Sequence, residues 1–146
     1  MQTLSITSPA FKNGEMIPRK YTCKGIDVNP ALEISGVPPE AKSLALIMDD
    51  PDAPAGTWVH WVVWNISPAG RVEENSIPGV EGMNSSGGHH YHGPCPPSGA
   101  HRYFFKFYAL NAKLDIPKNT SKKELEMAIL GHLIAKGELM GPFKKD

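Results

Sequence analysis

The stretch that decides the fold is LALIMDDPDAPAGTWVHWVVWNI, residues 44–66. Two apolar runs, 44–48 and 58–66, flank a polar corner, Asp49-Asp50-Pro51-Asp52-Ala53-Pro54. The runs are rich in Val, Ile and Trp and too short for globular helices, so they read as strands. Pro51 and Pro54 cannot donate to a ladder, so the chain must leave the sheet between them. Three carboxylates are thereby held at a strand end. His60 follows on the next strand, between Trp58 and Trp61. Carboxylates and a histidine at the mouth of a sheet can build a binding site; the same residues also make ordinary solvated turns. Asp49 is expected to be only the solvated end of its strand.

Outward from this stretch the chain reads as mostly β. Gly and Pro number 14 each, spread without a period, which implies many turns. Short strands are expected at 4–6, 21–23 and 32–34, and stronger ones at 41–49, 58–66 and 103–110. Residues 67–99 read as a long loop ending directly at a strong strand, expected to form a binding wall rather than a mobile connection. One helix is expected, with Ser121 as N-cap and Glu124 closing a capping box. Its apolar face is Leu125, Ala128, Ile129, His132 and Leu133, with His132 a core histidine. Residues 133–143 read as a short strand or extended tail broken at Gly137 and Gly141. No linker or repeat interrupts the chain, so residues 1–146 are expected to form one domain.

Composition narrows the function. The chain has 15 Lys+Arg and 15 Asp+Glu, a formal net charge of zero. That argues against nucleic-acid binding by phosphate neutralisation and against a polybasic membrane anchor. No apolar stretch approaches the roughly 18 residues of a transmembrane helix, and no secretory signal is visible. A cytoplasmic protein without an integral membrane segment is expected. Cys23 and Cys95 lack CxxC spacing. In that compartment they are expected to be free and buried, the alternative being a disulfide of the kind found inside hyperthermophiles.

The second group of chemical interest is GPCPPSGAHRY, residues 93–103, a proline-fixed loop running into a strand. His101 and Tyr103 share one face of that strand, and Arg102 takes the other. His60 and His101 on neighbouring strands would offer donors to an anion. Asp50 or Asp52 would repel a bare anion but suit a zwitterion with a cationic head, and would keep the imidazoles protonated or oriented. Two His and two Asp could alternatively hold a divalent ion and activate water, giving a hydrolase or metal-dependent enzyme. His89, His90 and His92 also invite a metal reading, but without a clearly spaced fourth ligand a surface loop is preferred.

DDPDAP followed by WVHWVVWN, then GPCPPSGAHRY, together resemble the two signature regions of the phosphatidylethanolamine-binding protein (PEBP) family, nearest its prokaryotic Raf kinase inhibitor-like branch. YTCKGIDVNPAL and the C-terminal helix extend the resemblance over nearly the whole chain. It implies a mainly β fold: a large antiparallel sheet packed on a smaller sheet, with one C-terminal helix and long loops. It also implies an anion pocket for phosphate or phosphorylethanolamine-like groups, and no cofactor. Carried over by motif, Asp50, Asp52, His60, Pro97, His101 and Tyr103 line or shape that pocket, with Trp58 beside it. Arg102 is implied as an ion-pair partner for a pocket carboxylate, and Pro54 as a cis proline. The implied function is non-catalytic binding of a small phosphate-bearing or zwitterionic ligand, with a kinase or protease as possible partner and inhibition as a possible role. A homodimer is compatible with this. The histidine-rich segment 89–92 departs from the family pattern, and the kinase-inhibitor role of animal members does not transfer with a fold.

Overall fold

The computed structural model describes residues 1–145. Its strands are β1 (Gln2–Thr3), β2 (Ser5–Thr7), β3 (Leu32–Ser35), β4 (Ser43–Asp50), β5 (Trp58–Ile66), β6 (Arg71–Val72), β7 (Val80–Glu81), β8 (Ala100–Leu110) and β9 (Leu133–Lys144). Helix α1 spans Lys122–Ile129. The large sheet has the order β1-β9-β8-β4-β5-β7 and the small one β2-β3-β6. The large sheet is mixed, not wholly antiparallel as expected: β1 runs parallel to β9. The other neighbours in both sheets are antiparallel.

Strand β4 is central and buried on both faces, which is why it reads as an unbroken apolar run. Leu44, Leu46 and Met48 face the core between the sheets, with Leu32, Ile34 and Val72 of the small sheet. Ala45 and Ile47 face the opposite side, where Leu125 and Ile129 of α1 pack with Val62 and Trp64. The result is three layers: small sheet, large sheet, helix. Helix α1 starts as expected. The Ser121 hydroxyl accepts from the Glu124 N–H, and the Glu124 carboxylate accepts from the Ser121 N–H. No helix among the described residues is long and apolar enough to cross a membrane.

Several local expectations fail for identifiable reasons. Residues 19–21 form a 3-10 turn in place of a strand at 21–23, because the Tyr21 and Thr22 N–H groups bond back to Pro18 and Arg19. The tail is one long strand, β9, paired with β8 from Ala100↔Lys144 to Leu110↔Leu133. Gly137 and Gly141 do not break it. They let other groups approach: a Cβ at Gly137 would collide with the Leu4 carbonyl, and one at Gly141 with Ile17 and Phe11. Helix α1 ends before His132, which sits half-buried in the following turn against the Asn111 side chain. The 67–99 loop holds β6 and β7. It is also organised by Asn84, whose Oδ1 accepts from the Ser86 and Gly88 N–H groups and whose Nδ2 donates to the His90 carbonyl.

The cysteines are not free. Cys23 and Cys95 form a disulfide, with Cα atoms 5.5 Å apart. The turn after residue 19 and the loop at 91–97 are already neighbours. The Tyr91 hydroxyl donates to the Tyr21 carbonyl, Gly93 N–H to Asp27 Oδ1, and Cys23 N–H to the Pro94 carbonyl. Sequence spacing carries no trace of this long-range contact. Nor is Pro54 cis: no cis peptide occurs among the described residues. The corner turns by other means, with Asp52 N–H donating to Asp50 Oδ1, Gly56 N–H to the Ala53 carbonyl, and Gly56 at φ 109°.

Candidate functional site

Strand parity sends the two acidic residues at the end of β4 to opposite sides of the sheet. Asp49 continues the helix-facing row of Ala45 and Ile47. It is fully buried, not solvated as expected, and its Oδ2 accepts from Lys106 Nζ at 3.1 Å and Lys122 Nζ at 2.8 Å. Its Oδ1 is buried with no hydrogen-bond partner. Asp50 continues the row of Leu44, Leu46 and Met48, toward the small-sheet side, and there it meets the pocket.

A β-bulge brings His60 to the same side. Along β5, Met48 pairs with Trp61 but Asp49 pairs with Val59, so His60 is an extra residue. Simple alternation from Val62 and Trp64 would place His60 on the helix side. The bulge resets the parity: Val59 packs toward the helix, while Trp58 and His60 line the cavity. On β8 the ladder to β4 is unshifted, so His101 and Tyr103 extend the inter-sheet row of Phe105 and Phe107.

The cavity is about 410 Å³, lined by these side chains together with Ala53, Pro54, His92, Cys95, Pro96 and Pro97. A slightly larger depression of about 480 Å³ lies near Met1, Lys106 and Lys136. Its titratable side chains are Lys106, Lys136, Glu138 and a half-buried Tyr108, with no histidine among them, so we take the β4–β5–β8 cavity as the candidate site. Within it, His101 donates Nδ1–H to Asp50 Oδ2 at 2.6 Å, and both side chains are buried. His60 donates Nδ1–H to the His92 carbonyl at 2.5 Å, because a carbonyl can only accept. Burial, opposed by that hydrogen bond, pulls the His60 pKa down to about 4, so its imidazole is neutral near pH 7. Trp58 packs edge-on to His60 with centroids 4.7 Å apart, and Tyr103 does so at 5.2 Å. Tyr103 is raised well above the ordinary phenol range, by burial first and the Asp50 carboxylate second.

Of the nine residues singled out from sequence, Asp50, Pro54, Trp58, His60, Pro97, His101 and Tyr103 line the cavity. Asp52 and Arg102 do not. They hold each other: Asp52 accepts from Arg102 N–H, Nε and Nη2, each at 2.9 Å. The guanidinium hydrogen bond holds the Asp52 pKa down at about 2. The pair pins the DDPDAP corner to β8 rather than facing the cavity. Sequence reasoning missed His92, assigned to a surface loop, and the Cys95 wall. The signal was the position of His92 directly before the Gly93-Pro94 that opens the second motif.

No three His, Cys, Asp or Glu side chains among the described residues are grouped to hold a metal ion. The metal-dependent hydrolase alternative therefore finds no support in the grouping of these side chains.

Comparison with known proteins agrees with this architecture. The family model described as phosphatidylethanolamine-binding protein matches residues 7–144. The UPF0098 protein of Methanothermobacter thermautotrophicus is 44% identical, over 97% of this chain and 99% of its own. That of Pyrococcus horikoshii is 46% identical, over 94% of this chain and 75% of its own. Among solved structures, a PEBP homolog from Chlamydia trachomatis superposes with a TM-score of 0.95 at 44% identity, covering 100% of both chains. Escherichia coli YbcL, described as a new member of the mammalian PEBP family, gives 0.89 at 30% identity, covering 98% of this chain and 99% of its own. The chain belongs to the phosphatidylethanolamine-binding protein family.

Proposed function

We propose that this protein is a non-catalytic binding module whose β4–β5–β8 cavity takes a small phosphate-bearing or zwitterionic ligand. The observation that carries the reading is the convergence of Asp50, His60, His101 and Tyr103 on one cavity, from three strands and through a β-bulge. Apart from His92 the rest of the lining is largely apolar, and Pro54, Pro96 and Pro97 fix it in advance. Such a wall orients a ligand, while the few polar groups select it. Asp50 would meet the cationic end of a zwitterion, and Tyr103 would donate to its oxyanion.

The test is a titration with phosphate and with phosphorylethanolamine, followed by the imidazole NMR signals of His60 and His101. Both histidines are expected to shift with phosphorylethanolamine. His60→Ala is expected to weaken binding at least about tenfold, the worth of one good hydrogen bond. Unmoved signals at millimolar ligand would remove the reading. Modulation of a kinase or protease belongs to the same proposal and is tested by asking whether pocket variants lose inhibition in enzyme panels. A cytoplasmic setting would require the hyperthermophile exception, because persistent disulfides otherwise belong to oxidising compartments. Thiol counting on protein taken directly from its own cells distinguishes the two.

A further inference from the structure

The proposed reading leaves open which oxyanions the cavity accepts, and the ring nitrogens narrow the choice. His60 spends Nδ1–H on the His92 carbonyl. A neutral imidazole carries one proton, so Nε2 must then hold a lone pair. No protein group among the described residues bonds that nitrogen, and it is not shut off as a buried orphan. His60 thus presents the cavity with an acceptor, not the donor expected from sequence. Tyr103 supplies the complement. It lines the cavity and its hydroxyl donates to no protein acceptor among the described residues, so that proton is free for a ligand. The lining contains no Lys or Arg, since Arg102 is committed to Asp52. Pro54, Pro96 and Pro97 contribute no N–H, and the Asp50 carboxylate adds an anionic group. A fully deprotonated dianion would meet an acceptor at His60 and a carboxylate at Asp50, with Tyr103 and the ring nitrogens of Trp58, His92 and His101 as the remaining candidate donors.

Resting on the binding reading above, we infer that the cavity selects oxyanions that keep a hydroxyl, a phosphomonoester monoanion being the type case. The P–OH donates to His60 Nε2, and a second phosphoryl oxygen accepts from Tyr103. Dianions and phosphodiesters, which lack that hydroxyl, are disfavoured. The groups facing His60 that could also respond to pH are Asp50 on β4, His101 and Tyr103 on β8, and His92 in the loop. Asp49 lies on the opposite face against two lysines. A control anion that does not titrate is therefore needed.

The experiment titrates the oxidised protein with methyl phosphate, dimethyl phosphate and sulfate at pH 5.5 and 7.5, reading the His60 and His101 ring signals. With a second phosphate pKa near 6, methyl phosphate is roughly three-quarters monoanion at pH 5.5 and about 3% at pH 7.5. Its apparent affinity should therefore fall about 25-fold between the two. Sulfate and dimethyl phosphate should bind at least about tenfold more weakly than methyl phosphate at pH 5.5, with little pH dependence. The His60 Nε2 nitrogen should remain unprotonated in the complex. If sulfate or the diester binds as tightly as the monoester, or sulfate gains the same 25-fold at low pH, the hydroxyl requirement is overturned while the cavity remains a ligand site. If phosphorylethanolamine moves the two histidines and none of the three anions does, this inference fails while the binding reading stands; if phosphorylethanolamine moves neither, both fail.

Discussion

At the scale of the residue, His60 carries the most consequence. Its tautomer is set by a backbone carbonyl 32 residues away, and its charge by burial. Its folded pKa of about 4 lies below the ordinary 6.5, so the unfolded chain binds the proton more readily. Stability from this residue is therefore complete above about pH 6.5 and lost as pH falls toward 4. The shift corresponds to about 3 kcal/mol. Urea unfolding of the wild type at pH 7 and pH 4 should show that decline, and His60→Gln should remove most of its share of the slope. Equal slopes in the two proteins would place the acid sensitivity elsewhere.

At the scale of the element, the end of β4 ties the large sheet to α1. Asp49 is a buried carboxylate held by one lysine from β8 and one from the helix. Either lysine alone leaves it a partner, so single Lys106→Ala or Lys122→Ala changes should cost about 1 kcal/mol or less. Removing both strands a charge in the interior, at about 3–5 kcal/mol. A double-mutant cycle by chemical denaturation should therefore be strongly non-additive. Additive costs would mean that water reaches Asp49. The helix itself was legible from its capping box and apolar spacing. Its ionic link to β4 was not, because Asp49 and Lys122 are 73 positions apart.

At the scale of the whole molecule, the disulfide closes a 72-residue separation between the N-terminal turn and the cavity wall. On chain-entropy grounds such a closure contributes about 4 kcal/mol. The Cys23→Ser/Cys95→Ser double variant should lose roughly that stability and melt roughly 10 °C lower. The wild type in strong dithiol reductant should match it. Identical melting of oxidised and reduced protein would show that the loop is held by its hydrogen bonds alone. The sequence by itself determined the mainly β character, the strong strands β4, β5 and β8, the helix start and the two motifs, because apolar runs, proline breaks and capping are written in neighbouring residues. Only the tertiary structure decided the rest. The bulge that turns His60 into the cavity is a register relation between two strands. The bridging of Cys23 to Cys95, the burial of Asp49 and the withdrawal of Asp52 onto Arg102 are contacts between distant segments. Each depends on which elements pack together, and local sequence pattern carries no signal for that.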